Sequence, residues 1–93
     1  MENAQLNGLR VMVIDDSKTI RRTAETLLAK EGCSVMAAVD GFEALALISD
    51  HQPHIIFVDI MMPRLDGYQT CALIKNNQQF KNTPVIMLSS KDG

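Results

Sequence analysis

The sequence predicts an α/β domain built on a doubly wound parallel sheet, and three observations carry that reading. Four short apolar runs, RVMVID, SVMAAV, HIIFVD and PVIML, alternate with stretches of helical periodicity. Within the runs, apolar residues follow one another without the in–out alternation of a half-exposed strand, as in a sheet covered on both faces. Three of the runs lead into polar residues that a core strand does not need: Asp15 and Asp16, Asp59, and Ser89 with Ser90.

The elements follow in order behind a polar segment, residues 1–9. The first strand is expected from Arg10 to Asp15. Ser17 is placed to cap the helix after it, in which Ile20, Ala24, Leu27 and Leu28 recur at helical spacing while Lys18, Arg21, Arg22 and Glu25 stay outside. Gly32 fits the left-handed residue that closes that helix. A second strand runs from Ser34 to Val39, and Asp40-Gly41 reads as a turn. Phe42, Leu45 and Ile48 give a short helix that ends near SDHQP. The third strand runs from His54 to Asp59. Behind a Met-Met-Pro loop, a helix from about Gly67 to Asn76 is expected to bury Cys71 and Ile74. The polar stretch NNQQFKNT leads to the last strand.

This order has a chemical consequence. Crossovers within a parallel sheet make every strand point the same way, so the carboxyl ends share one edge. Asp15, Asp16, Asp59 and Ser89 therefore converge where open α/β sheets bind ligands. A cap or turn role explains one aspartate and explains the set poorly. Carboxylates about 5 Å apart repel by about 3 kcal/mol per pair at an effective dielectric near 20, which a proton or a cation must relieve. Hard oxygen ligands without imidazole or thiolate suit Mg²⁺, and bound Mg²⁺ favours phosphate oxygens. Asp59 is the candidate nucleophile, since a carboxylate can take a phosphoryl group as an acyl phosphate. The Ser89 hydroxyl is a candidate hydrogen-bond partner for that group after transfer.

Composition excludes several other classes. The 93 residues allow at most one domain, and 46% apolar content is enough for a core. A net charge of -2 gives no basic footprint for nucleic acid. No apolar run approaches the ~20 residues of a membrane span, and MENAQLNGLR lacks the layout of a signal peptide, so a cytoplasmic protein is expected. Cys33 and Cys71 stand far apart without C-x-x-C spacing and read as small buried hydrophobes. His51 and His54 are split by Pro53 and lack further ligands nearby, so they read as loop histidines and not as a zinc site.

The motifs VMVIDDSKTIRR, FVDIMMPRLDG and PVIMLSS, in that order, resemble the receiver domain of bacterial two-component response regulators, with its flavodoxin-like, CheY-like fold. The stretches KTIRRTAETLLAKEGC, DGFEALA and MMPRLDGYQTCALIKNN are similar to receivers of the chemotaxis-like system that controls type IV pili and twitching motility. The resemblance implies strand order 2-1-3-4-5 and a phosphoryl group accepted on Asp59. It implies Mg²⁺ on Asp16, Asp59 and the backbone carbonyl of Met61, with Asp15 acting through water or in reserve. Ser89 becomes the switch hydroxyl, while Pro63 and Gly67 shape the loop. The implied donor is a CheA-like histidine kinase or its phosphotransfer domain. The implied recipient of the signal is a downstream pilus regulator or motor-associated protein.

Receivers of this kind continue into a fourth helix, a fifth strand with a lysine at its end, and a fifth helix. This sequence stops at Gly93, and Lys91 lies in the loop after Ser89, not at the position of that lysine. Residues 10–93 are thus expected to form a receiver incomplete at its C-terminus, without the fifth strand and the last two helices. Its fourth strand would be an open edge prone to self-association. Two other functions compete with the phosphoacceptor. A phosphohydrolase of the haloacid-dehalogenase type wants D-x-D, but Met61 stands two residues after Asp59 and Ser17 two after Asp15. A phosphorylation-independent interaction module that keeps only the receiver shape would have no use for the acidic set, which argues against it for the parent protein. The missing C-terminal elements revive it for the chain as given. Lys18, Arg21 and Arg22 form either a docking face for the kinase or a solvated helix face.

Overall fold

A computed structural model of the chain describes residues 7–62 and 65–88. The elements are β1 (Arg10–Ile14), α1 (Lys18–Lys30), β2 (Ser34–Ala38), α2 (Gly41–His51), β3 (Ile55–Asp59), α3 (Gly67–Lys75) and β4 (Val85–Leu88). All three strand pairings are parallel, in the order β2-β1-β3-β4. The expected α/β, doubly wound parallel architecture is the one observed among these residues. The chain grows outward from β1 in one direction to β2, then returns to place β3 on the other side. The switch point therefore lies between β1 and β3, where their carboxyl ends part.

Helix boundaries follow local chemistry. Ser17 caps α1 by accepting the Ile20 amide at 3.3 Å, and Gly32, at φ +89°, takes the left-handed conformation in the turn after the helix. Asp40, expected in a turn, is instead the N-cap of α2, accepting from the Glu43 amide at 2.9 Å. Asp66 and Gln69 form a reciprocal capping box at the start of α3, with bonds of 2.8 and 3.1 Å.

The main core lies between the sheet and the α2/α3 layer. Met12, Ile14, Ile56 and Val58 project from the strands onto Ala44 and Ile48 of α2 and Ile74 of α3, all buried. Burying each large aliphatic side chain stabilises the fold by roughly 1.5–3 kcal/mol. Phe80, the one apolar residue of NNQQFKNT, joins this core at 3% exposure. Lys75 holds the same loop in place by donating to the carbonyls of Lys81 and Thr83.

Several expected inward positions are corrected. Phe42 is 51% exposed, because the inward stripe of α2 falls on Gly41, Ala44 and Ile48. Cys71 is half-buried, and so is Cys33; Thr70, one residue earlier and one turn before Ile74, is fully buried on α3 instead. On α1 no residue is fully buried, and Ile20 and Leu27 are about half exposed. Arg21, expected outside, is half-buried.

Candidate functional site

The parallel register places the acidic residues. Ile14 stands beside Val58, so one residue further along each strand Asp15 and Asp59 become neighbours. A carboxylate oxygen from each of Asp15, Asp16 and Asp59 lies within 4.8 Å of the others. Asp15 and Asp59 are buried, at 7% and 3% exposure, while Asp16 faces solvent. The three acids read from the sequence as converging do so.

Each buried acid is held by backbone. The Asp15 amide donates to the Ala38 carbonyl at 3.0 Å, extending the β1–β2 ladder by one bond. Its Oδ1 accepts the Ser17 amide at 2.8 Å. Asp59 Oδ1 accepts the Met61 amide at 3.1 Å, a turn that folds the loop back over the end of β3. Gly67 begins α3 against that same loop. A Cβ there would lie 2.7 Å from both the Asp59 carbonyl oxygen and the Ile60 Cα, so only glycine lets the helix approach this closely.

The electrostatics of the cluster are unfavourable without a cation. Burial pushes the Asp15 carboxyl above its ordinary range, and the Asp59 and Asp16 charges push it further. The Ser17 amide and the Arg21 guanidinium pull the other way. For the buried Asp15–Asp59 pair, a separation of this order corresponds to repulsion of about 3 kcal/mol at an effective dielectric near 20. An oxygen-only donor set of this charge fits a hard divalent cation, and the cluster could hold one.

Beside it, Asp16, Ile60, Met61, Met62, Asp66 and Tyr68 line an open cleft. The Met61 side chain is exposed on its rim, at the loop position where the sequence singled out its backbone. Pro63 and Ser89 lie outside the described residues, so the site is described without them.

Three polar groups at or near the site were not assigned there from the sequence. Arg21 turns inward, its Nη1 donating to the Asp15 carbonyl at 2.8 Å, which removes it from the basic face it was expected to share with Lys18 and Arg22. Asp66 and Tyr68 line the cleft from the start of α3. The signal for Arg21 was its place one turn after the Ser17 cap, within reach of the residues before it. His51, read as a loop residue, is instead the last residue of α2, while His54 lies in the loop before β3; both bond the backbone of β1 at the opposite end of the sheet.

Residues 11–93 match the response regulator receiver domain. The chain belongs to that family. The receiver is 80% identical over 89 residues to protein PilG of Pseudomonas aeruginosa, covering 96% of this chain and 66% of PilG. It is 37% identical over 86 residues to the probable transcriptional regulator ycf27 of Cyanophora paradoxa, covering 92% of this chain and 35% of that protein. Among solved structures it resembles the chemotaxis protein CheY4 of Vibrio cholerae, with a TM-score of 0.87 and 31% identity over 92% of this chain and 72% of that one. It also resembles the receiver domain of the histidine kinase CKI1 of Arabidopsis thaliana, complexed with Mg²⁺ and BeF₃⁻. There the TM-score is 0.85 and the identity 30%, over 98% of this chain and 72% of that one. The receiver thus spans just under two thirds of PilG and about a third of the ycf27 relative. It is a signalling module by family, and its described residues, four parallel strands and three helices, match these receiver structures in fold.

Proposed function

We propose that this receiver accepts a phosphoryl group on Asp59 from a CheA-like histidine kinase or its phosphotransfer domain, and that the modification controls type IV pilus motility. The observation that carries the reading is the cluster of three carboxylates from the ends of two adjacent parallel strands, two of them buried. The pilus assignment is supported by the 80% identity to PilG. The output would pass to a downstream pilus regulator or motor-associated protein, and the kinase reading places the receiver in the cytoplasm. None of the described helices is long and apolar enough to cross a membrane.

The chemistry assigns each group a task. Asp15, Asp16 and Asp59, with the Met61 backbone carbonyl, would hold Mg²⁺, either directly or, for Asp15, through water. The complex of the CKI1 receiver with Mg²⁺ and BeF₃⁻, a tetrahedral phosphoryl mimic, supports that choice. When bound, Mg²⁺ supplies the positive charge that offsets the approach of a phosphoryl dianion to a carboxylate. The Met61 amide engages Asp59 Oδ1 and leaves Oδ2 to attack phosphorus. A P–O bond to Asp59 forms as the P–N bond to the kinase histidine breaks. The imidazole leaves with that electron pair and takes up a proton. Ser89, the residue after β4, is assigned the hydrogen bond to the transferred group. Pro63 and Gly67 are assigned the shape of the loop.

The reading is of a phosphoacceptor without turnover of other substrates. Titrating Mg²⁺ while following amide shifts around Asp16 and Asp59 tests it, with saturation expected at millimolar metal or below. Signals unmoved at that concentration would sink the metal site. Among the described residues β4 pairs only with β3, and Ile86, Met87 and Leu88 are each about 40% exposed. We therefore expect the 93-residue chain to self-associate through the free edge of β4. Sedimentation at rising concentration should show a growing dimer fraction, and a monomer throughout would refute the expectation.

A further inference from the structure

We infer that Arg21 is a positioning residue for the acidic site: its grip on the Asp15 carbonyl sets the direction of Asp16 and hence the spacing of the cation-binding carboxylates. The inference rests on the metal reading above and deepens it. A guanidinium beside a divalent-cation site is out of place on charge alone, since like charges repel and its presence should weaken the metal. Its geometry supplies a different reason for its being there. The Nη1 atom donates to the Asp15 carbonyl oxygen at 2.8 Å in a part-buried contact, while the Arg21 backbone amide donates to the Ser17 carbonyl at 3.0 Å. One residue thereby fastens the chain on both sides of Asp16.

Two other bonds constrain this segment. The Asp15 amide is tied to Ala38 and its carboxylate to the Ser17 amide. The second bond spans Asp16 as an Asx turn and restrains the Asp15–Asp16 peptide plane from the side-chain side, but it does not hold the Asp15 carbonyl itself. That carbonyl lies in the plane, and Arg21 holds it. Asp16 is exposed, so its carboxylate is directed chiefly by the backbone on either side. Holding this plane keeps Asp16 within 4.8 Å of Asp15 and Asp59 despite their mutual repulsion. Groups that orient metal ligands without touching the metal commonly alter affinity by roughly 10–100-fold when removed. Arg21 acts on a ligand's backbone, so about tenfold is expected here.

The two roles open to Arg21 have opposite signs, which makes the test decisive. Arg21→Met removes the charge and keeps the reach, and Arg21→Lys keeps the charge and one donor. The 93-residue chain and both variants are titrated with Mg²⁺ by amide shifts and melted in metal-free buffer. The expected result is about tenfold weaker Mg²⁺ binding by Arg21→Met, with part of the loss recovered in Arg21→Lys. The Asp16 amide should also shift in metal-free Arg21→Met while amides at the far end of the sheet stay in place. Binding by Arg21→Met as tight as in the parent, or tighter, would overturn the inference even if its melting temperature fell. That pattern belongs to a residue that only stabilises the fold or only repels the ion. Should Arg21→Met fail to fold, the decision passes to Arg21→Lys, for which weakened binding supports the inference and parental binding overturns it. A parent that binds no Mg²⁺ removes the metal reading itself, an outcome distinct from variants that match a binding parent.

Discussion

At the amino end of the sheet, three polar side chains among the described residues complete backbone hydrogen bonds. His51 donates Nε2–H to the Val11 carbonyl at 3.0 Å, His54 Nδ1 accepts the Arg10 amide at 2.8 Å, and Arg10 Nε donates to the Gln52 carbonyl at 2.7 Å. At the carboxyl end, two buried carboxylates and one exposed one crowd together, with an amide each for Asp15 and Asp59 and one guanidinium nearby. Both ends were built from polar residues that interrupt apolar runs. The difference between them is electrostatic satisfaction. Polar groups that close backbone bonds stabilise the fold. Like charges gathered without a counter-ion work against it, and their presence calls for a ligand.

The comparison predicts opposite outcomes for substitutions at the two ends. The largest effect belongs to Asp59→Asn. An amide cannot form the acyl phosphate, so labelling by a kinase or by acetyl phosphate should disappear. Persistent labelling would point to a different acceptor. The same change removes one side of the Asp15–Asp59 repulsion, so the metal-free variant should melt higher than its parent. Loss of function and gain of stability in one substitution is the mark of the carboxyl end.

His51→Ala is the counterpart at the amino end. It leaves the Val11 carbonyl without its side-chain donor in a part-buried position. The expected cost is about 1 kcal/mol in denaturant unfolding, partly restored by Gln, which can donate to the same carbonyl. Mg²⁺ affinity should be unchanged, because the substitution lies at the other end of β1. A change in metal binding without a change in stability would reverse the assignment of the two ends.

The sequence made the carboxyl end more legible than the rest because its signal was chemical. An aspartate at the end of Ile55–Val58 has no packing explanation, and parallel topology alone brings it to Asp15 and Asp16. Where the outcome depended on side-chain direction, periodicity was too coarse. Phe42 sits one position off the stripe formed by Gly41, Ala44 and Ile48, and a one-residue step on a helix turns a side chain by about 100°. Phe80 looked like part of a solvated loop, yet a lone aromatic among polar residues is free to fold inward and did so. Thr70 carries a hydroxyl that argues for the surface. In the structure that hydroxyl is satisfied locally by the Leu65 carbonyl at 3.3 Å, which allows its burial. Arg21 was read outward because helical spacing fixes where a side chain begins. A long arm decides for itself where its charge ends. The α1 face of the sheet shows a related gap between pattern and packing. Val11 and Val13 are buried there, but Phe57 is only half-covered and joins Ile20, Leu27 and Leu88 along an open apolar groove.

The smallest expected effect gives the finest test of the comparison, and it concerns Asp15→Asn in metal-free buffer. Burial and the neighbouring acids raise the Asp15 carboxyl above its ordinary value of 3.8. Below that value the group is protonated whether the chain is folded or not, and it has no influence on stability. As pH rises from there toward the raised folded value, the unfolded chain has released the proton while the folded chain still holds it. Stability therefore falls through that window and stays lower by a constant amount above it. Asparagine keeps the oxygen that accepts the Ser17 amide and carries no charge, so it is spared the loss. Parent and variant should melt together near pH 3, and the variant should melt higher at pH 7. Saturating Mg²⁺ should then favour the parent, since a ligand that binds only the folded state adds stability in proportion to its affinity. A variant less stable than the parent at pH 7 without metal would mean that Asp15 is as well satisfied as the histidines at the other end, and the contrast between the two ends would fail.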